Sequence, residues 1–449
     1  MNFVPARARL HIAMGMLVLG LCLFSNNGLL VANGPFCKIN YLARAIVNDS
    51  DTQWMVFICL LAYFAAFIVV NARSNKTTLI IINPECWILV LIIISSVVYS
   101  FSYPSIEALV LLTGALLGQV AGFFIQKYEL RGFVLGSVGL LASSSLWHLD
   151  VARNFYPGTR WTGLWDNPNI YGMLMGAGLT LATGSLVAEL KLKALRPKAG
   201  DCAKANGRED SRYWLLRFFL FIATGMLGVG LFFSYSRGAW LGTTLGLLYL
   251  VQAHGKFTWR WFLPGFVLVG IVTGTFWHST VSMDRWFVKR MDFSRASAQH
   301  RVAAWKAGFE IMRDHPLGIG WNNAVDMYAK HYSPPEGGAA ALTMNSYLMV
   351  GTELGLPGLI CFVGYVALCF KRGTRATLIL PSPAECQEGN SPSHCGYLFP
   401  LHTSCRGAAT VLLVAYWFDG GLFDLSTASV FWILLELGTT SQPGAAVKL

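Results

Sequence analysis

The sequence predicts an all-α polytopic membrane protein, with about twelve transmembrane helices and a large, partly helical outer loop before the tenth. Three observations predict it. The 449-residue chain is 54% hydrophobic and only 13% charged, whereas ordinary globular domains carry about 25% charged residues. Its mean hydropathy is +0.50. Apolar runs long enough to cross a hydrocarbon core, about 20 helical residues each, recur along the whole chain.

The spans are read at 10–31, 53–71, 79–100, 105–125, 132–148, 169–190, 214–234, 238–252, 261–280, 345–370, 406–420 and 424–438. The start, MNFVPARARLHIAMGMLVLGLCLF, has a basic flank and an apolar stretch but no convincing small-residue cleavage site after it, so it is read as a retained first span. The turn SYPS at 102–105 separates the third span from the fourth, and the eighth, at 238–252, is short and leans on its neighbour for membrane depth. The chain thus divides into 1–280 with spans one to nine, an outer loop domain at 281–344, and 345–449 with spans ten to twelve and an inner loop at 371–405.

Orientation follows from Lys and Arg, which accumulate in cytoplasmic loops. With the N-terminus inside, the inner loops hold Arg7 and Arg9, Arg73 and Lys76, Lys127 and Arg131, the basic run 191–212, Lys256 and Arg260, and Lys371, Arg372 and Arg375. The segment 281–344 breaks the bias with Arg285, Lys289, Arg290, Arg295, Arg301, Lys306, Arg313 and Lys330, but long loops translocate largely regardless of charge. The net charge of +11 is spread over loops with no basic face interleaved with stacking aromatics, which argues against a nucleic-acid partner.

Cysteine usage points to no metal. Cys386, His394, Cys395, His402 and Cys405 crowd into 371–405, but their spacing matches none of the paired zinc-ligand patterns. Cys22, Cys59, Cys86, Cys361 and Cys369 lie in or beside apolar spans, where a free cysteine behaves as a small hydrophobe.

The candidate site residues sit on the outer side. Arg237 interrupts the apolar run LFFSYSRGAWLGTTLGLLYL at the outer end of the seventh span. A charge left at the bilayer centre costs about 3 kcal/mol, so it snorkels, pairs or serves a ligand. Gly238 and Ala239 leave its surroundings open, and Ser234 and Ser236 can bond nearby backbone. In GTRWTGLWDNPNIYG, Asn167-Pro168-Asn169 has turn chemistry and Asn169 suits a helix start, whereas Arg160 has no such structural account.

In the outer loop, Val302, Trp305, Phe309 and Met312 recur at helical spacing, predicting an amphipathic helix near 298–313 that ends at Asp314-His315-Pro316. Arg301 lies one turn before Trp305, at the edge of the apolar stripe. Arg160, Arg237 and Arg301 can therefore converge on the outer membrane surface. Guanidinium groups stay charged and bind phosphate bidentately, so a lipid-linked diphosphate is the anion that fits this location.

Taken together, RWTGLWDNPNIYG, FSYSRGAWLG, HRVAAWKAGFEIMRDHPLGIGWNNAVDMY and TMNSYLMVGTELGLPGL resemble, in the same order, the blocks of the bacterial O-antigen ligase and O-antigen polymerase family. The resemblance covers about 160 to 360. It implies a multi-pass glycosyltransferase of the bacterial inner membrane, active on the periplasmic face, that needs neither metal nor other cofactor. The implied donor is an undecaprenyl-diphosphate-linked glycan, and the implied acceptor is another glycan, lipid A-core or a protein.

On this resemblance Arg237 and Arg301 hold the diphosphate, and Arg160, Asn167, Asn169, Trp305 and Asn345 are further substrate-binding candidates. The family's NSYL block usually carries a histidine before the asparagine, the favoured activator of the acceptor hydroxyl, and here that position is Met344. His331, Glu353, Glu336 and His300 are substitutes by sequence. A polymerase joining lipid-linked repeats is the nearest alternative to a ligase. A polysaccharide-related transporter is the non-enzyme alternative, although no internal repeat of the kind many transporters show is present; a divergent member without activity is the remaining one.

Overall fold

The computed structural model describes residues 130–145, 160–163, 165, 167–195, 207–254, 296–332, 345–378 and 392–439, with parts of 107–118. The spans expected at 10–31, 53–71, 79–100 and 261–280 lie outside the described residues. Among the described residues every regular element is helical and no strand occurs.

The helices are α1 (Leu130–Ser145), α2 (Pro168–Leu195), α3 (Gly207–Ser234), α4 (Arg237–His254), α5 (Ala296–Asp314), α6 (Ala324–Met327, continued by a π turn at Tyr328–Tyr332), α7 (Ser346–Glu353), α8 (Gly355–Leu378), α9 (Pro392–Ala415) and α10 (Leu425–Gly438). Within α2 and α3, Pro168–Leu190 and Trp214–Ser234 are each long and apolar enough to cross a membrane. The residues expected as the short eighth span, 238–252, lie in α4, whose 18 residues rise about 27 Å at 1.5 Å per residue.

The centre of the bundle is α9 packed between α2 and α4. Lipid tails are as apolar as leucine, so membrane helices associate by close packing of small residues rather than by a hydrophobic drive. The α4–α9 contact shows this directly: a Cβ on Gly242 would stand 2.5 Å from the Val411 carbonyl oxygen, so only glycine lets the two backbones approach. At one end of the bundle the buried carboxylate of Glu189 pairs with Arg131 at 2.7 Å, and its backbone carbonyl accepts from Arg217, joining α1, α2 and α3. The arginines of interest lie at the other end.

Three expectations are revised. The span read as 345–370 is two helices, α7 and α8, broken at Leu354. The break is a glycine crossing: Gly355 (φ +76) and Gly318 (φ +89) pack the segment after α5 against the corner, and a Cβ on Gly355 would meet the Leu317 carbonyl carbon at 2.4 Å. Left-handed φ and this crowding both demand glycine. The inner loop expected at 371–405 is largely helical, because α8 runs on to Leu378 and α9 starts at Pro392 and continues through Pro400. Correspondingly, α9 ends at Ala415, so residues 416–424 form a connection to α10 rather than the end of the span read as 406–420.

Helix α5 matches the amphipathic helix expected near 298–313 and ends at Asp314, with His315 and Pro316 beyond it. Ala304, Ala307 and Ile311 bury one face, joined by Ala324 and Tyr328. Its expected stripe is divided: Met312 is buried and Trp305 half-buried, whereas Val302 and Phe309 face outward. The helix seats on α7, where the backbone N–H groups of Ile319 and Gly320 donate to the carbonyls of Thr352 and Glu353 at 3.0 Å each.

Candidate active site

Four backbone features build the site. The first is the α3–α4 connection. Ser234 closes α3, Tyr235 adopts φ 51, and Ser236 caps α4, its hydroxyl accepting from the Ala239 N–H at 3.4 Å. A left-handed non-glycine residue costs of order 1 kcal/mol or more, and here it makes the turn that puts Arg237 at the first position of α4, exposed. Gly238 and Ala239 do not leave this place open, as the sequence suggested. Ala239 is fully buried and a Cβ on Gly238 would stand 2.8 Å from Phe418, so the two small residues admit the 416–424 connection.

The second is the strand-like entry to α2. Trp161 N–H donates to the Phe233 carbonyl at 2.9 Å, and the two rings stack with centroids 4.6 Å apart. Arg160, which had no structural account from sequence, gains one here: its Nε donates to the Ser234 carbonyl at 2.9 Å and its Nη2 to Asn169 Oδ1 at 2.8 Å. A cation at the C-terminal end of α3 suits the helix dipole. Asn169 is not the helix cap. Asn167 is, since its Oδ1 accepts from Asn169 N–H at 2.8 Å, while Pro168, lacking a donor, takes the first helical position.

The third is the connection itself. Asp419 receives Asn169 Nδ2 on Oδ2 at 2.7 Å. Burial raises its pKa, while the bond from Asn169, the charge of Arg301 and the Gly420 N–H pull it down, and Asp424 raises it further. The NSYL block holds this connection in place. Asn345, fully buried, caps α7 by accepting from Tyr347 and Leu348 N–H at 3.0 and 3.1 Å. Ser346 donates its backbone N–H to the Tyr416 carbonyl and its hydroxyl to the Asp419 carbonyl, both at 3.0 Å. Tyr347 donates to the Leu413 carbonyl at 2.7 Å.

The fourth is α5, which brings Arg301 to the same place. Burial lowers the Arg301 pKa, the facing Asp419 carboxylate raises it, and the neighbouring Arg237 lowers it. Trp305, one turn on, meets Trp417 edge-on with centroids 5.7 Å apart and Phe418 at 6.5 Å.

The structure thus links Arg160 through Asn169 to Asp419, sets Arg301 facing Asp419 with Arg237 as its neighbour, and packs Trp305 on Trp417 and Phe418 beside Asp419 in the chain, with Asn167 and Asn345 as caps at the margin. It does not bring Glu353 or His331 to this cluster. Glu353 closes α7 eight residues after Asn345, about 12 Å of helix rise away, buried, with its carboxylate bonded by the Asn322 N–H. His331 is exposed in the π turn. Met344 and Glu336 lie outside the described residues, as does the side chain of His300.

Sequence reasoning missed Asp419. Its signal was weak but present: an acidic residue in an otherwise apolar run, the same anomaly that drew attention to Arg237.

Residues 220–363 match a family model described as O-antigen ligase. This stretch is similar to the O-antigen ligase family. Within the matched O-antigen ligase segment lie Arg237, Arg301, Trp305, His331, Asn345 and Glu353, while Arg160, Asn169 and Asp419 lie outside it. The family is one of glycosyl-transferring membrane enzymes. No curated protein matches the chain.

Proposed function

We propose that this chain transfers a glycan from an undecaprenyl-diphosphate-linked donor to an acceptor on the periplasmic face of the bacterial inner membrane, in the manner of an O-antigen ligase. The observation that carries the reading is that Arg301, on α5, faces the buried Asp419 carboxylate and has Arg237, from α4, as a neighbouring like charge. Two like charges held side by side repel. A diphosphate between them removes that cost and gains charge-assisted bonds.

In the reaction the acceptor hydroxyl attacks the anomeric carbon. The new C–O bond forms as the bond from that carbon to the diphosphate oxygen breaks, and its electron pair leaves with undecaprenyl diphosphate. Negative charge grows on the leaving group, so the two guanidinium groups bind the transition state more tightly than the ground state. The leaving lipid requires no proton and the chemistry requires no metal. Arg160 acts through Asn169, fixing the amide that holds Asp419. Trp305 offers a flat indole face to a sugar ring.

The acceptor proton has to go to a base, and Met344 is none. Asp419 takes that role in this proposal, because it lies against Arg301 and burial makes it a stronger base than an exposed aspartate. The proton passes from the acceptor oxygen to the carboxylate and then to solvent.

The test is to give the purified protein in lipid an undecaprenyl-linked glycan with lipid A-core, a second lipid-linked repeat, or a protein acceptor in turn. Transfer to lipid A-core supports the ligase reading, polymer made only from lipid-linked repeats replaces it with a polymerase, and no transfer to any acceptor overturns it.

A further inference from the structure

Among the described residues Glu189, Glu353 and Arg406 are charged and yet sealed to 3% exposure or less. Arg131 answers Glu189 at 2.7 Å, and Glu353 accepts the Asn322 N–H. Arg406 has no such answer. Its Nη2 reaches Thr403 Oγ1 at 3.5 Å, the outer limit of a hydrogen bond, and its buried Nε has no acceptor among the described residues. The ionisable groups close to it are Tyr249, His402 and Cys405, none of which carries negative charge at neutral pH. The His402 ring already donates through Nδ1 to the Leu437 carbonyl. A guanidinium does not lose its proton inside a protein, so Arg406 is a full buried charge that lacks an anion.

Its surroundings say where an anion comes from. The stem of Arg406 lies against the end of α10, where a Cβ on Gly438 would stand 2.5 Å from its Cγ, so only glycine lets the side chain pass. From α4, Tyr249 brings a hydroxyl, and its ring meets Phe370 of α8 edge-on with centroids 6.0 Å apart. Lys371, next in the chain, is exposed. This corner is at the end of the bundle away from Arg237: Tyr249 follows it by 12 residues on α4, about 18 Å of helix rise. Basic corners between helices on the cytoplasmic side suit phospholipid headgroups, and phosphate accepts from a guanidinium fork and an ammonium alike.

We propose that Arg406, Tyr249 and Lys371 form a second anion site, for a phosphate group, walled by α4, α8 and α9 at the end of the bundle opposite Arg237. On the orientation read from the charges this is the inner leaflet, so the phosphate of an anionic phospholipid is the ligand that fits, with inorganic phosphate the soluble source of the same chemistry. The phosphate supplies the counter-charge that Arg406 lacks, accepts the Tyr249 hydroxyl, and is held from the exposed side by Lys371. Its binding ties α8 to the α4–α9 pair. The site takes no part in glycan transfer and does not rest on the donor reading.

The experiment purifies the full chain in uncharged detergent and adds phosphatidylglycerol, phosphatidylcholine or inorganic phosphate. The melting temperature is read, and retained lipid is counted by native mass spectrometry. The expected result is that phosphatidylglycerol raises the melting temperature of the wild-type protein and one copy stays bound, and that both effects are lost in Arg406→Met and weakened in Lys371→Gln, a change at an exposed position. Without added anion Arg406→Met should melt no lower than the wild type, because an unpaired buried charge has been replaced by an apolar side chain. Stabilisation by inorganic phosphate alone, lost in Arg406→Met, supports the site with a soluble anion as its ligand. Phosphatidylglycerol that stabilises and stays on Arg406→Met as on the wild type overturns the proposal, as does equal stabilisation of both proteins by phosphatidylcholine, or no response to either anion. Should Arg406→Met fail to fold, Tyr249→Phe and Lys371→Gln decide: unchanged retention of phosphatidylglycerol in both overturns the site.

Discussion

Asn169 Nδ2 donates to Asp419 Oδ2 at 2.7 Å, joining residues 250 apart in the chain, and the same amide accepts Arg160 Nη2 on its oxygen at 2.8 Å. Asp419 in turn faces Arg301, which feels Arg237. One amide therefore orders a row of four charges drawn from four segments. Flipping or removing it releases both Arg160 and Asp419. Asn169→Ala is expected to lower transfer while leaving the protein folded and inserted, and Asn169→Asp, which replaces the donor by a second anion facing Asp419, is expected to be worse than Ala. Transfer rates of the two variants with donor in excess check this.

Asp419→Asn keeps the shape and removes the base. General-base contributions are typically 10²- to 10⁴-fold, and a loss of at least about 100-fold in rate is expected. The pH profile carries the sign. The working form is the carboxylate, so activity falls as pH drops through a pKa that burial has raised above the usual aspartate range. The acid limb of the wild-type profile should lie above that range, and the residual activity of Asp419→Asn should lack it. A mild effect with an unchanged acid limb would return Asp419 to a purely structural role.

The two arginines should differ in tolerance. Arg237 is exposed at the first position of α4, where a lysine can reach the same phosphate as a point charge. Arg301 is half-buried beside Asp419 and Trp305, where the planar fork matters. Arg301→Lys is therefore expected to cost more transfer than Arg237→Lys, and both alanine variants more than either. Kinetics of the four variants at saturating acceptor decide it.

Docking of the outer helix depends on the glycine crossing. Gly318→Ala or Gly355→Ala places a methyl group within about 2.5 Å of backbone in a left-handed conformation. Each is expected to loosen α5 from α7, raising protease sensitivity of the outer segment and lowering transfer, with membrane insertion unchanged. Limited proteolysis from the outer face reads the first effect independently of activity.

Much of this arrangement could be read from sequence because charges in apolar runs are conspicuous. Arg237 stood out in that way, and Arg301 was found by the helical spacing around it. Asp419 escaped because it sits at the end of the run 406–420, whose hydropathy conceals that the helix stops at Ala415. The break at Leu354 was hidden for the same reason, being apolar on both sides. Asn169 suited the helix start by sequence, but Pro168 takes the first helical position and Asn167 caps it, which leaves Asn169 to bond Asp419. The work of Ser346, clamping a connection 73 residues away, leaves no local trace in a sequence at all.

The central claim is that Arg237 and Arg301 act as a pair on a lipid-linked diphosphate. It is tested most directly by measuring release of undecaprenyl diphosphate from an undecaprenyl-diphosphate-linked glycan by the purified protein in lipid vesicles, with an acceptor present. The account predicts release coupled one-to-one with glycan transfer in the wild-type protein and lost in Arg237→Ala/Arg301→Ala, with the variant still folded and inserted. Release and transfer at wild-type rates in the double variant would contradict it.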